Sequence, residues 1–243
     1  VLWTLSGLVI VLLLRGSSSD ADVQRGLARR ILNTLTGLGP CFIKLGQALS
    51  TRPDLVRRDW LEELTRLQDD LPAFPHSIAL SRIEKELGAP ADQLFEEFPS
   101  APIAAASLGQ VYKARLEGQS WVAVKVQRPN LTFILRRDLV LIRALGVLTA
   151  PFLPLNLGFG LGSIIDEFGR SLFEEIDYEQ EADNAERFAS LFVDNPAVYV
   201  PRVERMLSST RVLTTTWIEG SKMRDSQELI EQRLDPAALI RTG

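Results

Sequence analysis

The stretch from Ile103 to Pro129 reads Ile-Ala-Ala-Ala-Ser-Leu-Gly-Gln-Val-Tyr-Lys-Ala-Arg-Leu-Glu-Gly-Gln-Ser-Trp-Val-Ala-Val-Lys-Val-Gln-Arg-Pro. Two β-rich runs, residues 110–116 and 121–127, flank a short turn that contains Gly118, and this pattern predicts a β-hairpin. In the second run, small or polar residues alternate with three valines, so one face of the predicted strand is apolar. The valines are Val122, Val124 and Val126.

Lys125 lies in the middle of the second predicted strand, on its small-residue face. An ammonium group that points inward needs a partner, because an unpaired buried charge is costly. The sequence Val-Ala-Val-Lys is typical of the third strand of protein kinases, whose Lys holds the α- and β-phosphates of ATP and pairs with a helix Glu. An ordinary edge hairpin with an exposed Lys explains the stretch equally well. The hairpin alone therefore leaves both interpretations open.

Other motifs decide between these interpretations. They are the Ala-rich segment before the hairpin, Phe42–Gln47 (Phe-Ile-Lys-Leu-Gly-Gln), Ser50–Leu55 (Ser-Thr-Arg-Pro-Asp-Leu), Leu67–Asp69 (Leu-Gln-Asp) and Glu174–Asn184 (Glu-Glu-Ile-Asp-Tyr-Glu-Gln-Glu-Ala-Asp-Asn). In order and spacing, the set resembles the ABC1/UbiB (ADCK) family of atypical protein-kinase-like ATPases over roughly residues 30 to 220. The resemblance implies an α+β fold: a kinase-like small lobe, with a five-stranded antiparallel sheet and an αC-type helix, behind an N-terminal helical extension.

The same resemblance implies roles for individual residues. Lys125 would hold the phosphates of ATP and Glu181 would position Lys125. The cover over the nucleotide would be Ala104, Ala105, Ala106 and Ser107. The hinge that contacts adenine would include Trp217 and Ile218. Four residues would control access to the site: Lys44 and Gln47 in the extension, and Glu175 and Asp177 in the acidic motif. From spacing alone, Lys44 and Gln47 are equally consistent with a solvated helix face.

The remaining elements follow from periodicity. Apolar residues recur every four positions within residues 21–38, which predicts an amphipathic helix. A second helix is predicted over residues 163–193, with Asp177, Glu181 and Asn184 on a common face. Two further strands are expected within residues 199–217 and would complete the five-stranded sheet.

Composition excludes several classes of function. The chain of 243 residues has a net charge of −4, which argues against a nucleic-acid-binding domain because such domains are basic. A single cysteine, Cys41, excludes an intramolecular disulfide and suits a reducing compartment. A single histidine, His76, rules out a His-rich metal cluster. The resemblance places the Mg²⁺ ligands in the large lobe, so no metal-ligating residue is predicted in this chain.

Four regions are expected along the chain. Residues 1–20 combine an apolar segment with a linker, residues 21–100 form the helical extension, residues 101–220 the small lobe, and residues 221–243 the start of a truncated large lobe. The apolar run 1–14 is shorter than the roughly 20 residues that span a bilayer. We expect it to pack on the domain or lie at a membrane surface. The alternative is that it is the end of a longer segment that spans the membrane.

Residues 221–243 contain neither a kinase-type catalytic loop nor Asp-Phe-Gly. The chain is therefore expected to lack the large catalytic lobe, where the Mg²⁺ ligands would lie, and to show no turnover by itself. The intact parent is expected to bind ATP with Mg²⁺ and to act as an ATPase or phosphotransferase.

The resemblance also implies a partner and a location: a membrane surface, or proteins of isoprenoid-quinone and lipid metabolism, in the bacterial cytoplasm or a plastid or mitochondrial compartment. The alternative is a non-catalytic nucleotide-sensing scaffold for a membrane biosynthetic complex.

Overall fold

The computed structural model describes residues 21–53, 58–65, 71–118, 120–149 and 160–220. Several sequence-based predictions lie outside these ranges: the apolar run 1–14, the motif residues 54–55 and 67–69, and the final segment 221–243.

Among the described residues, five α-helices precede the first three strands, and three more α-helices lie between those strands and the fourth. The helices are α1 (Ala21–Leu38), α2 (Pro40–Ser50), α3 (Arg58–Leu64), α4 (His76–Leu87), α5 (Ala91–Leu94), α6 (Leu131–Thr149), α7 (Leu161–Glu175) and α8 (Tyr178–Leu191). The strands are β1 (Ala104–Ala105), β2 (Gly109–Arg115), β3 (Trp121–Gln127) and β4 (Val212–Thr216). The predicted hairpin corresponds to β2 and β3.

The four strands form one antiparallel sheet in the order β1-β2-β3-β4. In this register Lys125 lies opposite Val111 on one side and Leu213 on the other. Because side chains alternate along a strand, these three residues share one face of the sheet. The face with Lys125 is half-buried, whereas the valines of β3 on the opposite face are fully buried.

The prediction of five strands is wrong for the part of the chain that the structure describes, where four strands are found. The segment before β4 contributes only isolated bridges, between Val203 and Thr215 and between Ser209 and Val212. Pro201 has no amide hydrogen to donate to a ladder. Soon afterwards the chain turns into a 3₁₀-helix at Arg205–Leu207, which ends its course along β4. The segment therefore follows the sheet edge for too short a distance to form a strand.

The predicted long helix over residues 163–193 is two helices, α7 and α8. The break lies at Ile176 and Asp177, where Asp177 adopts an extended backbone with φ −90° and ψ 99°. Its carboxylate accepts a hydrogen bond from the backbone N–H of Glu179 at 3.1 Å, as an N-cap does. Asp177 therefore begins α8 and is not part of a continuous helical face.

Two main hydrophobic cores hold these elements together, and each combines segments that are distant in sequence. The helical core packs α1, α2 and α3 against α6 and α7, with Phe42 and Leu135 among its buried side chains. The sheet core packs α4 and α5 against the valine face of β3. Within the described ranges, no helix is both long and apolar enough to cross a membrane.

Candidate functional site

Lys125 and Glu181 form an ion pair at the centre of the half-buried sheet face. The Lys125 Nζ atom lies 2.6 Å from Glu181 Oε2. Strand β3 holds the lysine, and helix α8 presents the carboxylate one turn after its N-cap. Both side chains keep partial contact with solvent, with 32% and 42% of their surfaces exposed. The ammonium is therefore fixed in direction and remains accessible to a ligand.

Tyr178 lies beneath this ion pair and was not among the predicted site residues. Its ring centroid is 4.5 Å from Lys125 Nζ, a cation–π contact, and the side chain is fully buried. Burial, with smaller contributions from Glu181 and Glu175, raises the pKa of the phenol well above its ordinary value, so the ring stays neutral. The sequence offered one signal, because Tyr178 precedes Glu181 by three positions and the two lie on one helix face.

Gly109 allows the tyrosine to occupy this position. A Cβ atom on Gly109 would lie 2.7 Å from the Tyr178 hydroxyl and 2.7 Å from the carbonyl oxygen of Val126. Real Cβ atoms do not come this close to other heavy atoms. Strand β2 can therefore pass over Tyr178 only because residue 109 has no side chain.

The Ala-rich segment 104–107 is held from two directions. Ala104 and Ala105 form β1 against β2. The Ala105 carbonyl accepts a hydrogen bond from the Leu71 amide at 3.2 Å. The Arg128 guanidinium donates to the carbonyls of Ala106 and Pro72, each at 2.9 Å. The segment is therefore tied both to the end of β3 and to the chain that precedes α4.

Arg128 was quoted in the hairpin motif but was given no role from sequence. Burial lowers the pKa of this guanidinium from its ordinary value, and its Cζ atom lies 5.7 Å from the Phe74 ring centroid. Ser107, at the end of the segment, is fully buried. The Ala-rich segment is thus a fixed part of the fold.

A second ion pair joins the extension to the acidic motif. Lys44, on α2, places its Nζ atom 2.5 Å from Oε1 of Glu175 at the end of α7. The lysine side chain is largely buried, at 15% exposed, and the glutamate is 45% exposed. Asp177, predicted to act beside Glu175, serves as the N-cap of α8. The backbone carbonyl of Gln47 accepts a hydrogen bond from the Ser50 hydroxyl within the last turn of α2.

The predicted hinge follows β4 directly. The Trp217 amide donates to the Trp121 carbonyl at 2.9 Å, so Trp217 can offer adenine its carbonyl oxygen rather than its N–H. Lys113 lies between two indole rings, 4.6 Å from the centroid of Trp217 and 5.2 Å from that of Trp121. Its ammonium also pairs with Glu219 at 3.0 Å. Ile218, the other predicted hinge residue, is 46% exposed.

No group of three His, Cys, Asp or Glu side chains suited to a metal ion occurs among the residues that the structure describes. The charged groups of the site include the Lys125–Glu181 pair, which lies beside the Ala-rich segment, and the Lys44–Glu175 pair, which joins α2 to α7. Such an arrangement can hold an anionic ligand against Lys125.

The sequence of the chain matches a known protein family and several of its members. A family model described as the ABC1 atypical kinase-like domain matches residues 66–243. The chain is 51% identical over 220 residues to the uncharacterized protein slr1919 of Synechocystis, a match that covers 90% of this chain and 39% of that protein. It is 44% identical over 225 residues to the chloroplastic ACTIVITY OF BC1 COMPLEX KINASE 1 of Arabidopsis thaliana, covering 92% of this chain and 33% of that one.

A solved structure also matches: Rv3197 of Mycobacterium tuberculosis in complex with erythromycin. The TM-score is 0.52 at 34% sequence identity, over 76% of this chain and 46% of that one. The chain thus spans between about a third and a half of the length of these matched proteins.

Proposed function

The chain belongs to the ABC1 atypical kinase-like family, as its resemblance predicted, and from this premise we propose that it forms the ATP-binding small lobe of an atypical kinase-like protein. The intact protein would bind ATP with Mg²⁺ and either hydrolyse it or transfer its phosphoryl group. The observation that carries this proposal is the Lys125–Glu181 ion pair on the accessible face of the sheet.

The ion pair suits phosphate binding for an electrostatic reason. A carboxylate at 2.6 Å limits the directions in which the lysine ammonium can point. Tyr178 beneath the ammonium supports it through the ring face. Lys125 can therefore meet the α- and β-phosphates of ATP without first having to become ordered.

The Ala-rich segment would cover the nucleotide. Alanine has less backbone freedom than the glycine of a typical kinase loop. The ties from Leu71 and Arg128 restrict this segment further. A fixed cover favours ATP hydrolysis over phosphorylation of a protein substrate, which needs room for a second large molecule. Adenine would contact the backbone of Trp217 and Ile218.

Magnesium would accompany the phosphates. Mg²⁺ in nucleotide sites is held by phosphate oxygens, water and one or two carboxylates. We propose that its protein ligands lie in a part of the protein outside the described residues. Lys44, Gln47, Glu175 and Asp177 would control access to the site, since the Lys44–Glu175 pair fastens the extension beside the helix that leads to Glu181.

The cellular role proposed here is support of isoprenoid-quinone or related lipid metabolism at a membrane surface in a reducing compartment. Two observations favour it: the family assignment, and relatives such as ACTIVITY OF BC1 COMPLEX KINASE 1 and 3, both chloroplastic. The single cysteine is fully buried and free, as suits such a compartment.

The test is Mg²⁺-dependent ATP binding and hydrolysis by the intact protein, measured with and without anionic liposomes. Lys125→Ala is compared with Arg143→Ala, which removes another ion pair, to Asp166 at 2.6 Å between α6 and α7. We expect Lys125→Ala to lower turnover by about a hundredfold or more, because preorganised charge at reacting phosphates has effects of that size. Arg143→Ala should behave as wild type.

Equal turnover in wild type and Lys125→Ala would make Lys125 a surface residue and overturn the catalytic proposal. Retained ATP binding without hydrolysis in the wild type would identify the protein as a nucleotide-sensing scaffold. Stimulation by liposomes would support the proposed membrane location.

A further inference from the structure

A cavity lies at the end of β3, where Gln127 forms part of its lining. It has a volume of about 510 Å³ and opens between α4 and the first turn of α6. Helix α4 packs on the valine face of β3 through Ala79 and Ile83, so the α4 side of this cavity lies on the face of the sheet opposite Lys125.

Three cations converge on the cavity: Arg82 and Lys85 from α4, and Arg211 from the turn before β4. Both arginines lie near the same carboxylate oxygen, Oε1 of Glu86, at 4.0 Å from Arg82 and 3.0 Å from Arg211. One glutamate therefore faces two guanidinium groups, and together with Lys85 these groups leave an excess of positive charge along the cavity.

The electrostatic state of Arg82 supports this description. Burial lowers the pKa of its guanidinium, the charge of Arg211 lowers it further, and Glu86 raises it. Two guanidinium groups that repel each other across a partly buried space are stabilised by an anion placed between them. Glu86 partly supplies that charge, and a ligand with two or more negative charges would supply the rest.

The remaining lining suggests what such a ligand carries besides charge. Ser77, Ser81 and Lys85 are spaced four residues apart and so follow one face of α4. The hydroxyls of Ser77 and Ser81 and the ammonium of Lys85 can donate hydrogen bonds to oxygen atoms. Ile78 and Phe133 also line the cavity and are 38% and 69% exposed. The cavity thus combines a cationic, hydroxyl-lined floor with two exposed apolar side chains.

We propose that this cavity binds a phosphate monoester with an apolar group. The phosphate would meet Arg82, Lys85 and Arg211, because the planar guanidinium fork matches phosphate oxygens. The apolar group would lie against Ile78 and Phe133. The ester has two possible sources, a soluble metabolite or the headgroup of a membrane lipid.

The experiment uses phenyl phosphate as the probe and calorimetric titration of the intact protein carrying Lys125→Ala, so that the proposed nucleotide site does not contribute. In that background Lys85→Gln is compared with Arg187→Gln. Both residues are exposed, but Arg187 lies on α8 away from the cavity. We expect Lys85→Gln to weaken binding about fivefold and Arg82→Gln about tenfold. Arg187→Gln should bind as the background protein does.

Phe133→Ser tests the contribution of the apolar group separately from that of the phosphate. It should weaken the binding of phenyl phosphate and leave the binding of inorganic phosphate unchanged. A parallel arm measures binding to phosphatidylcholine vesicles with and without phosphatidic acid. Phosphatidic-acid-dependent binding that phenyl phosphate displaces and Lys85→Gln weakens supports a lipid headgroup as the source. Phenyl phosphate binding without vesicle binding supports a soluble ester.

The proposal is overturned if phenyl phosphate does not bind at millimolar concentration, or if Lys85→Gln and Arg187→Gln bind it equally. Because the titration is made without Lys125, such a failure would not bear on the proposed ATP site. Conversely, loss of the ATP site would leave this result intact.

Discussion

Two of the Lys–Glu ion pairs in the described part of the protein have nearly equal lengths but different surroundings. Lys125 and Glu181 meet at 2.6 Å over a buried tyrosine ring and connect the sheet to α8. Lys44 and Glu175 meet at 2.5 Å and connect the extension to α7, across 131 residues of sequence. The first pair lies beside the Ala-rich segment on an accessible sheet face. The second joins two helices of the helical core.

The difference shows that an ion pair's role depends on what surrounds it. Neither pair is expected to contribute much to stability, because partly exposed pairs contribute about 0–1 kcal/mol. The Lys125 pair orients a cation toward open space, which matters when a ligand arrives. The Lys44 pair fastens one helix to another, and under the proposed function it would control access to the nucleotide site.

The largest expected effect is a difference in the kinetic constants that change when the Lys125–Glu181 pair or the Lys44–Glu175 pair is broken. Glu181→Gln should lower kcat for ATP hydrolysis by about a hundredfold, because the Lys125 ammonium loses the charge that orients it. Glu175→Gln should shift the KM for ATP by up to about fivefold, the most that a partly exposed pair supports, with a much smaller change in kcat. Steady-state kinetics of the intact protein measures both.

Equal losses of kcat in the two variants would contradict this division, since both pairs would then act on the same step. The charge exchange Lys125→Glu with Glu181→Lys sharpens the test. It restores an ion pair but places a carboxylate where the phosphates would bind, so hydrolysis should stay lost while folding is retained.

A second, smaller effect concerns the close packing of Gly109 on Tyr178, which lies beneath the Lys125–Glu181 pair. Gly109→Ala would place a Cβ 2.7 Å from a backbone oxygen of Val126, which cannot move without disturbing the sheet. We expect the free energy of unfolding to fall by about 2 kcal/mol, as overpacked sites usually do. Urea denaturation measures this.

The control for that substitution is Gly26→Ala, in the exposed interior of α1, where a Cβ would meet nothing within 4 Å. This change should stabilise the protein by about 1 kcal/mol, because alanine favours helix over glycine. If both substitutions left the free energy of unfolding unchanged, the close contact of Gly109 with Tyr178 and Val126 would be contradicted.

Much of the sheet region could be predicted from the sequence because neighbouring residues along each strand determine its two faces. Alternation of valines fixed the faces of β3, and the Val-Ala-Val-Lys pattern placed Lys125 on the open face. The family was predicted from spaced motifs and is confirmed by the family match over residues 66–243. The pairing with Glu181 was implied by resemblance and could not be obtained from periodicity.

Other features depend on packing or on backbone geometry that leaves no periodic signal. An aspartate is compatible with the exposed face of a helix and with an N-cap, so the break at Asp177 was missed. The segment around Val203 has strand-like residues but follows the sheet edge only briefly. Arg128 acts through carbonyl oxygens of Ala106 and Pro72, and carbonyls are present at every residue, so sequence cannot indicate which ones it binds.

The smallest effect tests the helical core itself, through Cys41 on α2. Burial, with a smaller contribution from Asp138, raises the pKa of this thiol from 9.0 to about 12 in the folded protein. The neutral thiol is therefore favoured by folding. Its contribution to stability is complete below pH 9.0 and is lost as the pH rises toward 12, because the unfolded chain ionises first.

We expect the free energy of unfolding to fall by about 1–2 kcal/mol from this thiol between pH 8 and pH 10.5. Cys41→Ala should be less stable at every pH, since it leaves a cavity, but should fall less steeply over this range. Urea denaturation at several pH values gives both slopes. Tyr112 and Tyr178 in the sheet region also have pKa values raised by burial, so they remain as a shared background in both proteins. Parallel slopes in the two proteins would mean that the thiol is already accessible to water in the folded state, and that the helical core is looser around α2 than the Lys44–Glu175 pair indicates.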